Sequence, residues 1–107
     1  MASPEPVVVT AVFTPAEGQR DELVRRLRPA IAEVHEEPGC RLYAIHDAPD
    51  GTIVMIEKWD SAELLDAHGE GDPVKRLGAS IADVIAAPVA VTRLRPIPAG
   101  TEHQGAL

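Results

Sequence analysis

One cysteine, one Phe, one Tyr and one Trp are all that 107 residues contain of these types. The lone Cys40 excludes an intrachain disulfide and removes any need for an oxidising compartment. Cations are scarce as well: ten Lys and Arg stand against seventeen Asp and Glu, a net charge of −7. No basic run offsets that locally. Arg25, Arg26 and Arg28, the densest cluster, spread around a helix and read as a solvated face. A phosphate backbone and an anionic membrane surface are therefore both disfavoured, so neither nucleic acid nor membrane is expected as a partner. No apolar run approaches the ~20 residues of a membrane span. The start, Met-Ala-Ser-Pro-Glu-Pro, has neither a basic region nor a leader-like apolar stretch, and a cytoplasmic location is expected. Metal-ligand spacing, a Gly-rich phosphate loop and a nucleophile elbow are all missing, so no metal site is expected.

What is present suits a globular chain. At 45% hydrophobic residues the composition is too apolar for disorder, and the length favours one domain. Its core runs from about Val7 to Pro96; residues 97–107, rich in Pro and Gly around Pro98 and Gly100, form a polar tail.

Val7 to Phe13 is β-branched and apolar except for Thr10, which predicts a strand buried on both faces. Thr14-Pro15-Ala16-Glu17 fits a helix start, while Gly18 offers a turn before the helix proper as the alternative. Leu23, Leu27, Ile31 and Val34 make one helical stripe, with Pro29 inside it expected to kink or loosen a turn. Pro38-Gly39 ends it. Cys40 to Asp47 and Thr52 to Trp59 are strand-like, and Pro49-Asp50-Gly51 joins them as a hairpin. On the second of these, Ile53, Met55, Glu57 and Trp59 share a face. Asp60-Ser61-Ala62-Glu63 opens a short helix through His68, and Asp72-Pro73 caps a third with Val74, Leu77, Ile81, Val84 and Ile85 as its stripe. Val89 to Leu94 is the last strand.

The order βαββαβ predicts an α+β, ferredoxin-like fold: one antiparallel sheet with helices on one face. Strands apolar on both faces leave an uncovered apolar sheet face, which a second copy would cover, giving a homodimer.

The rare rings fall close together in this scheme. Tyr43, Glu57, Trp59 and His68 sit on consecutive elements and furnish the chemistry of a pocket. His68 is the candidate base, because imidazole titrates near neutral pH; a helix-end His that caps carbonyls or bonds Glu57 is the plainer role. Trp59 is either a wall for a flat ring or a core residue. Tyr43 is either a donor to a ligand carbonyl or a packed ring with its hydroxyl at the rim. Glu57, facing an apolar layer, needs a partner, with Arg41, Arg93 or His68 available for an ion pair. His46, on the opposite strand face from Tyr43, lines either the pocket or the dimer face. His35, among Glu33, Glu36 and Glu37, reads as solvated, and Cys40 as a small hydrophobe.

Pro38-Gly39-Cys40-Arg41-Leu42-Tyr43, the Pro49-Asp50-Gly51 turn, Glu57-Lys58-Trp59-Asp60-Ser61 and Leu65-Asp66-Ala67-His68 resemble the antibiotic biosynthesis monooxygenase domain family from about Val7 to Pro96. The resemblance implies a dimeric α+β barrel. It implies a cofactor-independent monooxygenase that oxidises an aromatic phenol or quinol with O2, the substrate itself supplying the electrons. On that basis His68 is the expected catalytic residue, and Trp59, Tyr43, His46 and Glu57 the expected substrate-binding residues. The alternative is a non-catalytic small-ligand-binding or stress-associated module on the same scaffold. The haem-degrading relatives look to a pocket Asn, and this chain contains no Asn, which disfavours haem degradation.

Overall fold

A computed structural model describes residues 5–107; Met1 to Pro4, part of the segment read for a leader, lie outside the described residues. The elements are β1 (Val7–Phe13), α1 (Arg20–Val34), β2 (Cys40–Asp47), β3 (Ile53–Trp59), α2 (Ala62–Glu70), α3 (Asp72–Ile81) and β4 (Ala90–Leu94). The strands form one sheet in the order β2-β3-β1-β4, every neighbouring pair antiparallel. This is the ferredoxin-like arrangement: β3 is inserted between β1 and β2, and β1 between β3 and β4. Among the described residues no helix is long and apolar enough to cross a membrane.

The period of two expected of β3 is met residue by residue. Ile53, Met55, Glu57 and Trp59 are buried beneath the helices, while Val54, Ile56 and Lys58 are half-buried on the bare face. Register carries that division across the sheet: Val9 lies opposite Glu57, which lies opposite Tyr43. The core joins Val9, Ala11, Phe13, Ile53, Met55 and Trp59 from the sheet to Leu23, Leu27, Val34, Leu65, Leu77 and Ile81 from the helices. Burying each large side chain of this set contributes roughly 1.5–3 kcal/mol. Arg26 reaches from α1 to the Ser80 carbonyl and Asp83, and Arg76 pairs with Glu33, tying α1 to the α3 side of the helical layer. Arg26 is thus a tether as well as a surface charge.

Two local expectations are corrected. Thr14-Pro15 does not open α1, because its backbone is engaged elsewhere. Ala86 donates to the Thr14 carbonyl and Ala16 donates to the Val84 carbonyl, both at 2.8 Å, and Pro15 bridges Ile85. The helix starts only after Gly18 (φ +75°) has turned the chain, as the alternative allowed. The stripe assigned to the third helix outlasts the helix itself: α3 ends at Ile81, and Val84 is buried from the turn that follows. α1 continues through Pro29 to Val34.

A β-bulge interrupts the β2–β3 ladder. Cys40 pairs with Trp59 and Leu42 with Lys58, which leaves Arg41 as the extra residue, its side chain paired with Asp60. The bulge shifts the alternation by one position, so Cys40 and Tyr43 share the helix-side face. The tail beyond β4 makes a turn closed by the Gly105 N–H to the Thr101 carbonyl, and the Leu107 carbonyl accepts from the Lys58 ammonium on the bare face.

Candidate functional site

A cavity of about 270 Å³ lies between the sheet and the α2–α3 layer. Its walls are mostly apolar: Val9, Ala11 and Phe13 from β1, Met55 from β3, Leu65 from α2, Leu77 and Ile81 from α3. The polar side chains at its surface are Tyr43, Glu57, His68 and Arg93. Val91 of edge strand β4 also lines it and is 62% exposed, so the cavity opens beside β4. There Arg93 pairs with Asp66 of α2 at 2.6 Å.

Ser61 places α2. Its hydroxyl accepts from the Leu64 N–H at the helix N-terminus, and from that start Leu65 and His68, three apart, fall on the buried face. His68 is 6% exposed and is held by aromatic rings on two sides. The Trp59 ring stacks on it with centroids 4.6 Å apart, and Tyr43 meets it edge-on at 5.5 Å. Its Nδ1 stands 3.1 Å from both carboxylate oxygens of Glu37, in the α1–β2 connection. That connection is tightened by the Cys40 N–H to the Glu37 carbonyl and by Gly39 at φ +82°. A Cβ on Gly39 would fall 2.4 Å from the Leu64 side chain, so the loop carrying Glu37 packs directly on the helix carrying His68.

Glu57 is 5% exposed. Its Oε1 accepts from the Trp59 indole N–H at 3.0 Å. The expected ion pair with Arg41, Arg93 or His68 is not formed: Arg41 is engaged by Asp60, Arg93 by Asp66 and His68 by Glu37. Burial therefore pushes the Glu57 carboxyl up, and the Trp59 bond and the nearby His68 only partly oppose it. Burial likewise pushes the Tyr43 hydroxyl up, with Glu57 adding to the effect, so it stays protonated. The Cys40 thiol is raised by burial and by Glu37 and Glu57, which makes it a poor nucleophile.

Three polar atoms at the cavity have no hydrogen-bond partner among the described residues: Nε2 of His68, the Tyr43 hydroxyl and the second Glu57 oxygen. None of them is sealed away from solvent-sized space. A buried polar atom left open in an apolar cavity is suited to a ligand's complementary group.

The structure thus brings together Tyr43, Glu57 and His68. It does not bring the other two expected residues to the cavity. Trp59 is wholly buried and backs the imidazole from behind, so it is a core residue and not a wall for a ligand. His46 is on the bare sheet face, exposed, with Nδ1 3.2 Å from the Val54 carbonyl. Strand alternation from Tyr43 imposes that position. His35, though exposed, is not only solvated: its Nε2 is 3.1 Å from the Tyr43 carbonyl. Sequence reasoning missed Glu37, whose partner His68 lies 31 residues on. The only local signal was an acid placed just before the Pro38-Gly39 turn.

A family model described as antibiotic biosynthesis monooxygenase matches residues 6–79. The Mycobacterium tuberculosis protein Rv0793, provisionally named a monooxygenase, is 33% identical over 93 residues, covering 86% of this chain and 92% of its own. Its solved structure superposes with a TM-score of 0.80, covering 90% of this chain and 99% of that one. A Caulobacter crescentus structure, provisionally called an antibiotic biosynthesis monooxygenase, has the same fold: TM-score 0.81 at 23% identity, covering 88% and 92% of the two chains.

Proposed function

The chain belongs to the antibiotic biosynthesis monooxygenase family, and on that premise we propose that it is a cofactor-independent monooxygenase. It oxidises a small aromatic phenol or quinol with O2 and works as a homodimer. The observation that carries this reading is the apolar cavity with an open imidazole nitrogen, a protonated phenol and a buried carboxyl on its surface. Its size supports a limit on the substrate. A cavity of about 150 Å³ accommodates benzene, so about 270 Å³ suits one or two fused rings.

The chemistry asks little of the protein. Nε2 of His68 takes the proton of a ring hydroxyl, and the electron pair stays on the substrate oxygen. The resulting anion gives one electron to O2, and the two radicals join as a ring peroxide. For a quinol, that peroxide breaks its O–O bond and loses water to leave a hydroxyquinone. Quinol plus O2 becomes hydroxyquinone plus water, so the substrate supplies every electron that reduces oxygen. Tyr43 donates to a second substrate oxygen, and a protonated Glu57 can do the same. The dry walls keep the anion from reprotonation by bulk water.

Dimerisation is supported by the bare sheet face, where Val12, Leu42, Ala44, Val54 and Ile56 are only half-buried. A second copy packed on this face would remove that surface from water.

Oxygen uptake with a panel of one- to four-ring phenols and quinols tests the proposal, with mass spectrometry of the product. One- and two-ring quinols are expected to consume O2 and gain one oxygen atom, and His68→Ala to slow this by ~100-fold or more. Ligands that quench Trp59 fluorescence without oxygen uptake would overturn it in favour of a binding module.

A further inference from the structure

The His68–Glu37 contact joins an imidazole that is 6% exposed to a carboxylate that is 18% exposed. At 3.1 Å from Nδ1 to each oxygen, the carboxylate is placed to accept one proton from the ring and has no second imidazole atom to serve. A neutral imidazole carries its proton on one nitrogen only, and the hydrogen bond made by that nitrogen decides which. With Nδ1–H donated to Glu37, Nε2 is left as the acceptor. Nε2 is the nitrogen without a partner among the described residues, on a ring that lines the cavity.

We infer that Glu37 is the positioning residue of the base: it holds His68 in the Nδ1–H form, keeps Nε2 free for a ligand proton, and stabilises the imidazolium once that proton arrives. The role rests on His68 being the base proposed for this site. The step is a proton transfer alone. The substrate O–H bond breaks, its proton goes to Nε2, the electron pair remains on oxygen, and the Nδ1–H stays with Glu37.

The other charged or titratable groups around His68 leave this task to Glu37. Tyr43, from β2, meets the ring edge-on, and burial keeps its hydroxyl protonated. Glu57, from β3, directs one oxygen to the Trp59 indole and is not hydrogen-bonded to the imidazole. Arg93, from β4, is paired with Asp66 of α2. Cys40, beside Glu37, directs its thiol to the Leu42 carbonyl. The loop geometry serves the same end, because Gly39 lets the Glu37 connection lie against Leu64, one turn before His68.

The test uses ¹⁵N-histidine NMR of the intact chain together with steady-state kinetics, in wild type, Glu37→Gln and Glu37→Ala. In wild type above neutral pH, Nδ1 of His68 is expected to be the protonated nitrogen. Glu37→Gln keeps an acceptor and should preserve that form, so its kcat should fall less than that of Glu37→Ala. Glu37→Ala should mix the two neutral forms and lower kcat by about 10- to 100-fold, the scale for losing a group that orients a histidine, with KM changed far less. Identical His68 ¹⁵N signals in wild type and Glu37→Ala would overturn the role of Glu37. If those signals move as expected but His68→Ala retains full oxygen uptake, it is the assignment of His68 as base that fails.

Discussion

Trp59 donates its indole N–H to Glu57, two residues earlier on the same strand face, at 3.0 Å. The indole thereby satisfies its own donor inside the core and gives the carboxyl its one hydrogen bond among the described residues. It leaves the second carboxyl oxygen, on a residue that lines the cavity, without a hydrogen bond among the described residues. One strand segment therefore supplies both the backing of the imidazole and an acid kept in a mostly apolar site.

A pH dependence of stability follows from that acid. Burial raises the Glu57 carboxyl in the folded chain above its unfolded value. The folded chain therefore holds this proton more tightly than the unfolded chain does. The contribution is fully present below the unfolded pKa and is lost as pH rises through the folded one. Glu57→Gln has no proton to lose and can still accept from Trp59. Urea unfolding should show the variant more stable than wild type near neutral pH, where the wild type must either ionise a buried carboxyl or hold its proton. Near pH 4 the gain should vanish. A loss at neutral pH that disappears in acid would mean that the carboxylate is stabilised in the fold, opposite to this expectation.

Tyr43 separates stability from function. Its ring is core, 3% exposed and edge-on to both Trp59 and His68, but its hydroxyl bonds to no described residue. Tyr43→Phe keeps the ring and should leave the melting temperature nearly unchanged. A lost hydrogen bond to ligand is worth about 0.5–1.5 kcal/mol, so binding or turnover should weaken by roughly 2- to 12-fold. Calorimetry and oxygen uptake on the same preparation check both halves. A large stability loss with normal turnover would show that the hydroxyl has a structural partner.

The bare sheet face carries the expectation of a homodimer. Ile56 is at its centre, between Thr10 of β1 and Ala44 of β2. Light scattering at micromolar concentration should give twice the chain mass for the wild type. Ile56→Glu should give the single-chain mass, because a buried, unpaired carboxylate costs several kcal/mol at an interface. Circular dichroism should be unchanged, since the side chain is not part of the core beneath the helices. A monomeric wild type would overturn the dimer.

The sequence by itself determined the order of elements, the hairpin and the face on which each β3 residue lies, while the bulge at Arg41 that shifts the β2 alternation was decided by the pairing. The first three depend on local chemistry: Gly51 accepts the positive φ of the turn, and strand alternation put Glu57 with Met55 and His46 opposite Tyr43. The family was legible too, because its motif residues recur in order and spacing. What only the tertiary structure decided are the contacts between segments distant in the chain. Nothing near Thr14-Pro15 announces the ladder to residues 84–86 that displaces the helix start. Nothing near Trp59 says that α2 will lay His68 over its ring and shut it off from the cavity. Glu37 and His68, 31 residues apart, meet because the Pro38-Gly39 turn packs against α2. Residues that far apart carry no sequence period that would reveal such a pairing, and only the packing of the loop on the helix brings them within hydrogen-bond reach.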